Sequence, residues 1–225
     1  KGNTLDFPNL NAKTLRILQK NGFLQAQYPD TYGTAIKLRE FASNEHKMFS
    51  SYVSENLHHT EMPEMSPTLE RKIFDGIDEI FNNSELHSRS AIKFNACGQF
   101  YPRKKQMDFI IADGGVGFSA NYKNTYGVDV EDHEAIDWAV KKGNTTRQLD
   151  IPGGLGLDVI REFIAINKGR FIIASQGGYW CQSSKGIEKQ LFTNPFPGTV
   201  VILEIRTDDI YSYDLDETID PNDIF

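Results

Sequence analysis

Glu79, Asn83 and His87 stand four residues apart in "EIFNNSELH". On a helix that spacing stacks three side chains into one stripe. A carboxylate, a carboxamide and an imidazole aligned in this way can all reach into one cleft. A side-chain amide oxygen is a hard ligand suited to Mg²⁺, which prefers oxygen donors and keeps several waters. A Glu one turn earlier is placed to take a proton from a water or a hydroxyl. The plainer reading of the stripe is a solvated margin whose histidine packs or caps.

Three glycine-bearing stretches offer further chemistry. In "DFIIADGGVGFSA" an apolar run ends in Asp113, and Gly114, Gly115 and Gly117 follow at once. Either a strand runs into a slack turn, or it delivers a carboxylate and a backbone hinge to a ligand. "IPGGLGL" sets Gly153, Gly154, Leu155, Gly156 and Leu157 at the opening of a helix. Free N–H groups and the positive dipole end make such an opening a phosphate seat; a tight loop-to-helix turn has the same composition. The stretch lacks the lysine spacing of a P-loop and the preceding strand of a dinucleotide fingerprint. Gly198-Thr199 opens the last apolar run, where a β-branched residue needs no special reason.

These residues need elements to hold them. Ser66-Pro67 reads as an N-cap and first helical residue, starting a helix from Pro67 to about Ser88. Ile73, Ile77, Ile80 and Phe81 form its apolar face, Asp75, Asp78 and Asn82 fall on the wet side, and the Glu79 stripe runs along the boundary. "AIKFNACGQFY" and "QMDFIIADGG" are strands joined at "PRKK", so Arg103 to Lys105 read as a charged hairpin turn. "VEDHEAIDWAVKK" is a short helix stopped by Gly143, and "GLGLDVIREFIAINKG" a second helix closed by Gly169. "RFIIASQGGYW" and "GTVVILEIRT" are strands. The order helix, strand, strand, helix, helix, strand, strand predicts an α+β two-layer sandwich: a mixed or antiparallel sheet with helices on one face.

Residues 1–65 read as a mostly helical N-terminal extension. "NAKTLRILQKNGF" and "NEHKMFSSYVSENL" carry helix-like spacing around the loop "QYPDTYGT". "HHTEMPEMSP" is a linker, and adjacent His58 and His59 diverge on a helix, a poor metal pair. Residues 66–207 form the main domain, and 208–225 an acidic tail without a clear period.

Bulk composition narrows the classes. The chain has 225 residues, 39% hydrophobic and 24% charged, which suits one large globular core. A net charge of -7 argues against general nucleic-acid binding. No apolar run approaches the ~20 residues of a membrane span, and no signal-peptide pattern opens the chain. The first residue is Lys1, as in a trimmed or excised piece. Cys97 and Cys181 match no metal spacing and sit in apolar or aromatic surroundings, as buried thiols of a cytoplasmic protein do.

Together, E-x-x-x-N-x-x-x-H on a helix, D-x-G-x-G after a strand, G-x-G-L opening a helix and G-T opening a strand resemble the GHKL ATPase superfamily. That superfamily includes the ATP-binding domains of gyrases, Hsp-type chaperones, histidine kinases and MutL-type proteins. The likeness runs from about Ser66 to Thr207, about two-thirds of the chain, and implies a Bergerat-type fold that binds ATP or ADP with Mg²⁺. It implies Asn83 as Mg²⁺ ligand, Glu79 as base and His87 at the end of the N-box. Asp113 would accept from the adenine amine, with Gly115 and Gly117 letting the backbone pass close to the base. Gly153, Gly154, Leu155, Gly156 and Leu157 would form the phosphate-side box, and Thr199 would support the Asp113 end of the pocket through water. Residues 118–152 would be the ATP lid, with Thr145, Thr146 and Arg147 as candidate phosphate contacts.

Within the superfamily, the histidine-ending N-box is most similar to anti-sigma-factor serine kinases, whose acceptor is a STAS-type partner protein. The chain departs from that minimal form by its N-terminal helices and longer lid, which leaves the acceptor open. "NEHKMF" around His46 lacks the phosphoacceptor pattern of sensor kinases. The expected functions are a Mg²⁺-dependent serine/threonine kinase acting on a partner protein such as a neighbouring-gene product, an ATP-driven switch without phosphotransfer, or the catalytic part of a sensor histidine kinase. Homodimerisation stays open.

Overall fold

The structure is a computed structural model that describes residues 9–24, 28–57, 62–87, 93–141, 143–144 and 155–208. In chain order its elements are α1 (Ala12–Lys20), β1 (Ala35–Phe41), α2 (His46–Leu57), α3 (Pro67–His87), β2 (Phe94–Tyr101), β3 (Gln106–Asp113), α4 (Gly117–Tyr126), α5 (Asp132–Ala139), α6 (Leu155–Asn167), β4 (Arg170–Ser183) and β5 (Gly186–Arg206). The strands form one sheet in the order β1-β2-β3-β5-β4, and neighbours pair antiparallel throughout. The α+β arrangement is compatible with a two-layer sandwich.

Alternation along the strands defines the covered face. Phe94, Ala96, Met107, Phe109, Ile111, Val201, Leu203, Ile205, Phe171 and Ile173 are all buried. They share one cluster with Phe49, Tyr52 and Val53 of α2, Ile73, Ile77, Ile80 and Phe81 of α3, and Ile160, Phe163 and Ile164 of α6. The four apolar residues read from the α3 periodicity are thus the ones that face the sheet. Ser66 caps this helix as expected, its Oγ accepting from the Leu69 N–H at 3.2 Å. Pro102–Lys104 and the left-handed Lys105 make the turn between β2 and β3.

Four local features differ from the sequence reading. Residues 35–41 form an edge strand paired with β2, with a bulge between Ile36 and Arg39. A helix, α4, begins within the glycine cluster of "DGGVG", at its last glycine, Gly117. Asp78 is not on a wet face: both carboxylate oxygens accept from Ser50 Oγ of α2, at 3.1 and 2.9 Å. At the end of α6 the left-handed position is taken by Lys168 (φ 59°), while the Gly169 N–H reaches back to the Ile164 carbonyl at 3.2 Å. Gly169 is nonetheless required, because a Cβ there would lie 2.0 Å from the Glu204 carbonyl oxygen.

The outer half of the β4–β5 hairpin runs past the end of β3 and is held by α5. Trp180, fully buried, donates its indole N–H to Asp137 Oδ1 at 3.0 Å. Asp132, first residue of α5, accepts from the Gly177 N–H at 2.8 Å and from Ser119 of α4. A Cβ on Gly178 would meet the backbone of Asp132 and His133 at 2.6 Å. Bare backbone is what lets α5 sit this close.

Candidate functional site

Strand register brings the principal residues together. Asp113, last residue of β3, is the direct partner of Thr199 on β5, and Thr199 is the direct partner of Ser175 on β4. All three lie on the helix-covered side of the sheet, at one end of its three adjacent strands. They are nearly buried: Asp113 is 9% exposed, Thr199 8% and Ser175 1%. Buried polar groups need partners, and here they find one another. Ser175 Oγ and Thr199 Oγ1 are 2.9 Å apart, and the Phe118 N–H donates to Ser175 Oγ at 3.3 Å.

The glycines shape the same corner. The Gly115 N–H donates to Asp113 Oδ1 at 2.7 Å, closing a short turn on the strand's own carboxylate. Gln176 Nε2 donates to the Gly115 carbonyl at 3.1 Å. Gly117 has φ 82°, and a Cβ there would lie 2.7 Å from both Ser175 Oγ and Gln176 Cγ. Gly198 has φ 132°, and a Cβ there would lie 2.0 Å from the Asp113 carbonyl oxygen. The corner therefore offers a carboxylate, two hydroxyls and closely approached backbone. That donor and acceptor set suits the edge of a heterocyclic base.

Glu79 lies half-buried on α3, and Asn83 and His87 follow on the same helix, their side chains outside the description. α3 packs along α6, whose first residues are Leu155 and Gly156; Leu157 is a core side chain, 5% exposed. Thr145, Thr146, Arg147, Gly153 and Gly154 lie outside the described residues. Among the described residues no group of three or more His, Cys, Asp and Glu side chains could hold a metal ion. A Mg²⁺ carried mainly by phosphate oxygens and waters needs only one or two protein ligands.

Sequence reasoning missed Ser175 and Gln176. Their signal was faint: a polar pair, "SQ", ending an apolar strand just before Gly177-Gly178. Only the pairing of strands distant in sequence gives that pair its place. No family model matches the chain, and no curated protein matches it in sequence.

Proposed function

We propose that this chain binds ATP or ADP with Mg²⁺ at the Asp113 corner, as GHKL domains do, and acts as a serine/threonine kinase or ATPase toward a protein partner. The observation that carries the reading is the pairing of Asp113 with Thr199 across adjacent strands, beside a glycine turn and the buried Ser175 hydroxyl. The resemblance had linked Asp113 and Thr199 through one pocket, and β3–β5 register sets them side by side. A Bergerat-type fold over residues 66–207 belongs to the same proposal, as does a STAS-like acceptor. Free thiols at Cys97 and Cys181 fit a reducing, cytoplasmic setting.

In this reading the Asp113 carboxylate accepts from the exocyclic amine of adenine, and Thr199, oriented by Ser175, supports it. Asn83 offers its amide oxygen to Mg²⁺, which would neutralise charge on the phosphates. Glu79, one turn earlier, takes the proton from an acceptor hydroxyl or from water. Gly153, Gly154 and Gly156 would present backbone N–H groups to phosphate at the start of α6.

Calorimetry with Mg²⁺-ATP tests the base-reading role: Asp113→Asn is expected to abolish binding, and an unchanged affinity would overturn the assignment. Glu79→Ala is expected to keep nucleotide affinity and lose turnover, and Asn83→Ala to lose the Mg²⁺-dependent part of the affinity. Incubation with γ-labelled ATP, alone and with the products of neighbouring genes, separates the outcomes. Label on a partner means kinase, free phosphate alone means switch, and label on this chain means histidine-kinase chemistry.

A further inference from the structure

A cavity of about 400 Å³ lies away from the Asp113 corner. It forms where the start of β4, the end of β5 and the outer half of the β4–β5 hairpin meet. Asp113 marks one end of the central strands, whereas Gln106 and Arg206, paired at the other end, line this cavity. Arg170 and Glu204, which also line it, alternate with the buried Phe171 and Leu203 and so lie on the opposite face of the sheet. The two places share neither residues nor solvent face.

Its charge runs against the rest of the molecule. In a chain of net charge -7, four cations, Lys168, Arg170, Lys185 and Arg206, line the space with two carboxylates, Glu188 and Glu204. The Arg170 guanidinium is bound by both oxygens of Glu204, and Arg206 by Asp208. Lys168 and Lys185 have no acidic partner among the described residues. Glu188 accepts from Gln190.

The first of these lysines sits on a rigid support. Lys168 holds the left-handed conformation, which glycine or asparagine usually fills after a helix. Asn167 beside it is locked to β5, donating to the Arg206 carbonyl at 3.0 Å and accepting from the Arg206 N–H at 2.7 Å. Hydroxyl donors complete the lining: Tyr179 with Ser183 and Ser184. Burial pushes the Tyr179 phenol up to about 12, so it stays a donor at neutral pH.

We propose that this cavity is a binding site for a small organic anion of the phosphomonoester class. Lys168 and Lys185 neutralise the dianion, Tyr179 and the serines donate to its oxygens, and the volume is ample for an organic moiety, since ligand pockets start at about 300 Å³. The site is independent of the nucleotide reading.

Amine footprinting of the full chain with acetic anhydride tests it, with sites assigned by mass spectrometry. The probes are inorganic phosphate and a panel of sugar and glycerol phosphates, against chloride at matched ionic strength. At least one panel member is expected to slow acetylation of Lys168 and Lys185 by threefold or more and leave Lys47 unchanged. A Lys168→Gln, Lys185→Gln variant should keep the wild-type melting temperature and lose the calorimetric binding signal of that compound. Protection matched by chloride, protection spread over all lysines, or no protection by any probe overturns the proposal. So does a variant that folds normally and binds the protecting compound as tightly as wild type.

Discussion

Gly198 shows how one missing side chain holds the candidate site together. Its φ is 132°, and a Cβ would lie 2.0 Å from the Asp113 carbonyl oxygen, so there is no room for a methyl group. Gly198→Ala is therefore expected to cost roughly 3 kcal/mol or more by urea unfolding. Gly143→Ala is the control: φ is 77° but nothing lies within 4 Å, so only the left-handed cost of about 1–2 kcal/mol applies. Asp137 supports a different prediction. Burial pushes its carboxyl up, but the Trp180 N–H, the bonded Lys141 ammonium and the Lys189 charge together outweigh that and hold it below the usual range. A carboxyl lowered in this way stabilises the fold above its unfolded pKa, and the benefit fades as pH falls through the folded value. Asp137→Asn should be less stable at neutral pH by on the order of 1 kcal/mol. The gap should close in acid, and a gap of constant size across a pH series of melting curves would refute the charge argument. Asp113 was legible at this scale because a carboxylate followed by glycines is a local pattern. Ser175 was not, because its meaning comes from Thr199 across a strand boundary.

At the scale of elements, β1 explains what periodicity missed. Ile36 and Phe41 are both buried although an odd number of positions separates them, which strict alternation forbids. The bulge between Ile36 and Arg39 resets the parity, so "AIKLREF" shows no clean two-residue repeat. Phe41 then meets Phe49, Tyr52 and Phe81 edge-on. Phe41→Ala is expected to cost about 3–5 kcal/mol, seen as a lower urea midpoint. The α2–α3 contact carries a pH signature. Burial raises the Asp78 carboxyl; the Ser50 hydroxyl and nearby His46 oppose this, and Asp75 adds to it. A raised carboxyl favours the fold most below its unfolded pKa, and that contribution is lost as pH rises through the folded value. Asp78→Asn, which keeps an acceptor for Ser50, should gain melting temperature relative to wild type at pH 7 and lose that advantage at about pH 3. An advantage that grew toward acid would contradict it. The long helix α3 was the easiest element to read, with a cap, a proline and an unbroken apolar face.

For the whole molecule, composition and element order were enough for α+β and a sheet with helices packed on it. They gave no strand order, because β1-β2-β3-β5-β4 is decided by contacts distant in sequence. The placement of β5 between β3 and β4 is the fact on which the nucleotide proposal depends. If that proposal holds, Mg²⁺-ATP at a hundredfold excess over its dissociation constant should add about 2.7 kcal/mol of stability. A thermal scan would show this for the wild type and not for Asp113→Asn. The same placement has a mechanical consequence. From Thr199 to Glu204, β5 is hydrogen-bonded along both edges. Tension applied along β5 from its Arg206 end loads two ladders in shear, so many bonds must break at once. Tension at the Ser183–Gly186 tip peels one ladder a bond at a time. The fold should yield easily at the hairpin and resist at the strand that carries Thr199.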